Sequence, residues 1–430
     1  MTNSMKALCV ALVLTITATW AQEWTRFRGP NGTGISPQKG IPATLSNDHL
    51  QWKTELPGVG HSSPVLWDQK IFLTTSSERG DLSALCLEAT DGRLVWQKDF
   101  PLKADRLHKF NSFASSTPAV DSERVYILLN EPDRYVLAAL NHDGSVAWKR
   151  DFGPFLSQHG CGVSPIVYDG MVIVANEHGD SNSIRANADA KSFIVAVDAK
   201  DGTVRWQTAR QTLSVAYSTP CVYEKDGQKA LVFNSEAHGI YALDPHDGKV
   251  LWEYDQAFDK RSVSSPVIAG DVILGSCGSG GGGNFVTAVN LATGKPSLAY
   301  NIRKSAPYVP TPVTRDGLAW LLSDGGILTC IDSQTGEIKF QERLGGNFFG
   351  SPVWIDGHLY AVATNGDLVI TAAKDNFQAP HRFPLGELCH TTPAVALGKL
   401  FVRTEKHLWC FGGAKTFAVT SPGATSTLQE

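Results

Sequence analysis

The chain has 430 residues, 42% of them hydrophobic, and a formal net charge of −4. That is enough apolar material for a large core, and the charge supplies none of the clustered basic surface that nucleic acid requires. Its 40 glycines and 22 prolines, with little helical periodicity, point to a turn-rich all-β protein.

From the N-terminus, residues 1–21 read as a secretory signal. Lys6 is the only charge before Glu23, "ALCVALVLTITA" is a short apolar run, and "TWA" gives a small-residue cleavage site ending at Ala21. Without Lys6 the chain keeps 37 basic and 42 acidic residues, a net −5. No segment reaches the roughly 18–20 apolar residues of a membrane span, so no transmembrane segment is expected. Cys9 precedes most of the apolar run, which argues against a lipid-modified cysteine. The expectation is an exported protein, periplasmic or secreted. Seven cysteines remain in the mature chain with no dense disulfide framework visible.

Residues 22–44 read as an N-terminal extension, and "HLQWKTEL" (49–56) as a strand without neighbours in sequence. A repeat then begins. A Ser/Thr-Pro step leads into a β-rich run at prolines 64, 118, 165, 220, 266, 312, 352 and 393, with gaps of 40 to 55 residues. Eight copies at this period, filled with short strands, predict a β-propeller over 45–415. In the fourth copy "STPCVYE", "KALVFNS", "GIYALDP" and "KVLWEYD" are strands A to D, joined by "KDG" and "HDG" turns that suit tight hairpins.

A second frame marks strands C and D. "ALDPHDGKVLW" (242–252) returns as "CLEATDGRLVW" (86–96), "AALNHDGSVAW" (138–148), "AVDAKDGTVRW" (196–206), "AVNLATGKPSL" (288–298) and "CIDSQTGEIKF" (330–340). Its first residue is small, so Cys86 and Cys330 read as buried stand-ins for alanine, and Cys410 in "LWCFGG" reads the same way. Trp96, Trp148, Trp206 and Trp252 follow the turn glycine by four residues, with Phe340 and Leu298 in their place elsewhere. These rings are expected to hold adjacent blades together. The eighth copy lacks a fourth strand, and 49–56, with Trp52 in the expected place, is predicted to close the ring. Residues 416–430 read as a disordered tail.

At these residues the sequence resembles the pyrroloquinoline-quinone repeat family of eight-bladed propellers, whose docking motif A-x-D-x-x-x-G-K-x-x-W is met throughout 242–252. The resemblance covers roughly 45–415. The opening "WTRFRGPNGTGIS" (24–36) is similar to exported propellers of planctomycete type. The family implies an all-β, eight-bladed propeller of four-stranded antiparallel blades. It also includes quinone-dependent dehydrogenases and an outer-membrane assembly lipoprotein. The dehydrogenases carry adjacent cysteines that form a ring-stacking disulfide, which this sequence lacks.

Strand alternation puts the D–A and B–C loops on one face and the short A–B and C–D turns on the other. The long loops, 101–112, 153–161, 177–191 and 276–284, all fall on the first face, where a functional surface is expected. Around that channel mouth we expect His61, His108, His159, Tyr217, Arg261, Tyr308 and His390, with Cys161, Phe349 and Cys389 alongside and His178 and His238 nearby. Imidazole, phenol and guanidinium together suit an aromatic, anionic or sugar-like ligand; filling and hydrating the channel is the alternative use. Cys161 and Cys389 hold equivalent blade positions, as a metal or redox pair or as two small residues blades apart. Asp180, Asn182, Asn187 and Asp189 make an oxygen-rich loop without calcium-loop spacing. "GSGGGGN" (278–284) joins strands and leads into no helix, so it is no dinucleotide fingerprint.

No catalytic residue and no metal site is assigned. The expected function is a non-catalytic binding scaffold for a protein partner or small ligand on the D–A/B–C face, working as a monomer. The resemblance admits two others: an oxidoreductase using pyrroloquinoline quinone (PQQ) and calcium, and an envelope-assembly partner.

Overall fold

Asp-Gly pairs explain how so many short strands are joined without long connections. At Asp169-Gly170, Asp226-Gly227, Asp316-Gly317 and Asp356-Gly357 both residues have positive φ, between 44° and 79°. This is the type I′ geometry that matches the twist of paired strands. The computed structural model describes residues 24–103, 108, 110–131, 133–157, 159–179 and 191–414. The expected signal segment, the tail 416–430 and the Asp180, Asn182, Asn187 and Asp189 loop lie outside the described residues.

Eight antiparallel sheets follow one another around the ring. Blade 1 consists of Val65–Trp67, Lys70–Ser76, Leu82–Glu88 and Leu94–Phe100, strands A to D from the channel outward. Blades 2 to 7 repeat this plan. Blade 8 takes Ala394–Ala396, Lys399–Arg403 and His407–Phe411 from the C-terminal end, and Leu50–Glu55 is its outer strand. The N-terminal strand closes the ring.

The Ser/Thr before each proline forms a belt around the channel. Ser63 N–H donates to Thr117 Oγ1 (2.9 Å), Thr117 N–H to Ser164 Oγ (3.0 Å), Thr219 N–H to Ser265 Oγ (3.1 Å), and Ser265 N–H to Thr311 Oγ1 (3.0 Å). Thr311, Ser351 and Thr392 continue it, and Thr392 N–H returns to Ser63 Oγ at 3.0 Å across the closing seam. All these residues are buried, and a buried backbone N–H without a strand partner needs such an acceptor. The hydroxyl supplies it and the proline has no N–H of its own to satisfy.

The C–D frame is an interblade clasp. Trp52, Trp96, Trp148 and Trp206 donate their indole N–H to the next blade's turn, at Ala89 O, His142 O, Ala199 O and Pro245 O, 2.8 to 3.2 Å away. Each ring covers that turn's glycine so closely that a side chain at Gly248 would sit 2.4 Å from Trp206. Across the C–D pair the docking ring faces Cys86, Ala139, Ala196, Ala242, Cys330 or Cys410. The small slot is therefore the cross-strand neighbour of a large ring.

Two positions differ from expectation. Leu298 is half exposed, and Tyr300 takes the docking role in blade 5, facing Ala288, donating to Ser333 O (2.7 Å) and lying under Gly336. Pro296 delays the start of that strand, which moves the aromatic position two residues on. Trp252 packs against a core cluster that spans blades 4 and 5, and Gly294 of the next turn has open space beside it. Phe340 packs on Phe377 of blade 7 at 5.8 Å between ring centroids.

Candidate functional site

The N-terminal extension closes one end of the channel. Trp24 O and Thr25 O accept from Leu66 N–H and Val120 N–H of blades 1 and 2 (both 2.8 Å). The Asn31 amide pairs with both the N–H and the C=O of Val222 in blade 4, and Ile35–Ser36 runs parallel to the inner strand of blade 7. All these partners lie on inner strands toward the A–B turns. Arg26 and Arg28 are buried in the channel. Arg26 donates to Pro220 O. Arg28 donates to Gly32 O, Thr33 O, Thr311 O and Pro312 O, 2.7 to 3.0 Å away. Burial lowers their pKa values to about 10 and about 9, so both remain cations at neutral pH. Nothing in the sequence patterning placed this segment in the channel, although two arginines two residues apart in a short segment ahead of the repeat were a visible signal.

At the other mouth the expected residues come together. His61 and His390 stack with ring centroids 4.4 Å apart. From His390 the contacts run to Phe349 (5.1 Å), Phe110 (5.4 Å), His108 (5.4 Å) and His159 (4.8 Å). Arg261 lies close enough that its charge depresses the His159 pKa and opposes the upward shifts of Tyr217 and Tyr308. Tyr217 OH and Ser157 Oγ are hydrogen-bonded (3.1 Å), and Tyr308 and Val309 N–H groups donate to Asp324 (2.7 and 3.1 Å). The sequence did not single out Phe110, which bridges the two halves of this arc.

Burial sets the protonation of the arc. It is the largest cause of the fall of His61 to about 3, reinforced by His390 and Arg403, and of His159 to about 4, reinforced by Arg261 and His108. His390 is lowered by burial. These three rings are neutral at pH 7 and present one donor and one acceptor each. Tyr217 is pushed up to about 12 by burial and stays a phenol.

Other expected residues go elsewhere. Cys389 is buried and its thiol donates to Arg403 O at 3.2 Å, while Cys161 is half buried; both are free thiols. His178 is buried between Leu156 N–H and Lys191 O. His238 accepts from Gln211 N–H and faces Glu253, which Arg210 holds at 2.6 Å. Arg210 also lies over the Tyr241 ring, 4.2 Å from its centroid. Beside this group the Glu177 carboxyl is buried and pushed up to about 8 by that burial, with Arg210 opposing.

A family model described as outer membrane protein assembly factor BamB matches residues 78–307, just over half of the chain. The chain belongs to that family. The BamB of Moranella endobia is 27% identical over 234 residues, 50% of this chain and 55% of that protein. The chain spans about half the length of the curated relatives it matches. Among solved structures, BamB from Moraxella catarrhalis has a TM-score of 0.57 at 15% identity, over 86% of this chain and 99% of that one. Quinohemoprotein alcohol dehydrogenase from Comamonas testosteroni has a TM-score of 0.65 at 14% identity, over 95% and 83%. These structural likenesses establish the propeller fold.

Among the described residues, the donor set of the mouth does not fit the calcium of a quinone dehydrogenase. Calcium takes six to eight oxygens. The carboxylates whose charges reach Tyr308 are Asp324 and Glu236. Asp324 is occupied by two backbone N–H groups and Glu236 by the Ser214 hydroxyl. Among the described residues no cluster of three His, Cys, Asp or Glu side chains is arranged to hold a metal, and no helix is long and apolar enough to cross a membrane.

Proposed function

We propose that this BamB-family propeller is an exported, non-catalytic scaffold that binds a protein partner of the outer-membrane assembly kind at its D–A/B–C mouth. The carrying observation is the asymmetry of the channel. One mouth is filled by the chain's own Trp24–Ser36 segment, whose side chains and carbonyls are taken up by blades 1, 2, 4, 6 and 7. The other gathers His61, His108, His159, Tyr217, Arg261, Tyr308 and His390 into one partly exposed arc, with Phe110 and Leu388 among the exposed apolar side chains. Aromatic rings and arginine are the side chains that dominate binding energy at interfaces, and a closed propeller holds them rigidly, which lowers the entropy cost of docking. The binding unit is the ring 45–415, and the extension serves as its plug.

The test is site-specific photo-crosslinking in the producing cell, with a photoreactive residue at Phe110 or Tyr308, and at Asp169 or Asp226 on the turn face. A discrete envelope-protein adduct from the mouth positions alone is expected. Adducts from the turn face alone would overturn the assignment. Calorimetric titration with PQQ, with and without calcium, checks the dehydrogenase reading; tight calcium-dependent binding would replace the scaffold with an enzyme.

A further inference from the structure

Arg403 lies close enough to His61 that its charge depresses that imidazole, at the seam where blade 8 meets blade 1, and is fully buried. Its Nη1 donates to Ser62 O, Ser62 Oγ and Thr74 O, 2.8 to 2.9 Å away, which ties blade 8 to blade 1. Its Nε and Nη2 are also buried, and they have no partner. These two atoms form one edge of the guanidinium, with parallel N–H bonds spaced to meet both oxygens of a carboxylate. No described carboxylate forms an ion pair with Arg403. Nearby, Ser116 takes the Thr74 hydroxyl on its carbonyl while its own buried hydroxyl has no partner. Gly60 makes room for Nη2, since a side chain there would lie 2.6 Å from it.

A buried cation without a counter-charge and with two of its donor nitrogens unbonded is costly. Burial lowers the Arg403 pKa to about 9, so the group does not escape that cost by losing its proton at neutral pH. Arg28, also buried, differs in having a carbonyl for Nε, Nη1 and Nη2. Arg26 Nε is also buried without a partner, so what sets Arg403 apart is that two nitrogens of one guanidinium edge are left unbonded together.

We infer that Arg403 is the receptor for a single carboxylate that reaches it through the mouth past His61 and His390. The inference deepens the reading of this mouth as the binding surface. The carboxylate comes either from a small molecule or from the chain end of a partner, and both present the same two oxygens to Nε and Nη2.

Acetate tests the receptor without any partner, so its failure is distinct from failure of the crosslinking experiment. Full-length protein with labelled arginine is titrated with sodium acetate at fixed ionic strength, and the Arg403 Nε–H resonance is followed. A saturable shift is expected, weakened at least tenfold in R403K, whose ammonium cannot offer two parallel donors. No saturable shift in the wild-type protein overturns the proposal whether or not R403K folds; equal affinity in a folded R403K overturns it too. A Gly-Gly-Phe peptide with a free C-terminus and its amide then identify the source. Binding of the acid ten times tighter than acetate, with none by the amide, assigns a chain end. Binding of acetate and the acid alike assigns a small carboxylate. Equal binding of acid and amide removes the carboxylate from the argument.

Discussion

Replacing Trp206 with alanine tests the clasp against a control that the same chain provides. Trp206 is only 6% exposed, donates to Pro245 O at 3.0 Å, and lies against Gly248. A tryptophan buries roughly 150–250 Å², which at about 25 cal/mol per Å² is about 4–6 kcal/mol as an upper bound. Measured Trp→Ala losses in cores run about 3–5 kcal/mol, part of it the cavity left behind, and a lost hydrogen bond adds about 1 kcal/mol. We expect W206A to lose about 4 kcal/mol, a large share of the roughly 5–15 kcal/mol that folded domains possess. Trp252 is partly exposed and has no turn glycine beneath it, so W252A should lose about 3 kcal/mol, part of its surface already being in water. The glycines give the matching pair. G248A meets both a positive φ and the Trp206 ring, whereas G294A meets the positive φ alone. Urea unfolding followed by tryptophan fluorescence and circular dichroism reads these differences as midpoint shifts at constant slope. Equal losses for W206A and W252A, or a neutral G248A, would refute the clasp argument.

R28A should strip donors from four carbonyls in the plugged channel and lower stability by at least about 3 kcal/mol, with proteolytic cleavage appearing between residues 24 and 36. Y300F should lose about 1 kcal/mol with its bond to Ser333 O, while L298S should leave the melting temperature unchanged. Two pH effects of opposite sign are expected. Glu177 is pushed up to about 8 by burial, so between about pH 4.3, where it ionises unfolded, and pH 8 the folded chain holds the extra proton and stability falls as pH rises. His61 is pushed down to about 3, so below about pH 6.5 the unfolded chain takes the proton first and stability falls as pH drops. Melting temperatures across pH 3–9 should show E177Q flattening the upper limb and leaving the lower one in place. An unchanged upper limb in E177Q would remove the buried-acid assignment.

Much of the fold was legible because it repeats. Eight Ser/Thr-Pro steps and a recurring hairpin fix blade number, strand order and the face each loop occupies, since strands alternate direction and turns of two residues leave no freedom. The orphan strand at 49–56 was legible for the same reason: a ring of four-stranded blades has one vacancy, and Leu50–Glu55 fills it. The mouth positions followed from strand direction and loop membership; ring contacts link His61, His390, Phe349, Phe110, His108 and His159, whereas His178 and His238 lie elsewhere. Leu298 went astray because counting from the turn glycine ignores the delay at Pro296.

Sequence by itself therefore determined the local and periodic features, namely hairpins, docking rings and the order of blades around the axis. Only the tertiary structure decided what meets across the axis. Arg28 finds its acceptors 283 and 284 residues away at Thr311 and Pro312, and Arg403 finds its own 341 residues back at Ser62. Such partners share no spacing rule, because they are joined through the closed ring and not along the chain. The plug, the blind channel and the unfilled edge of Arg403 exist only once that ring has shut.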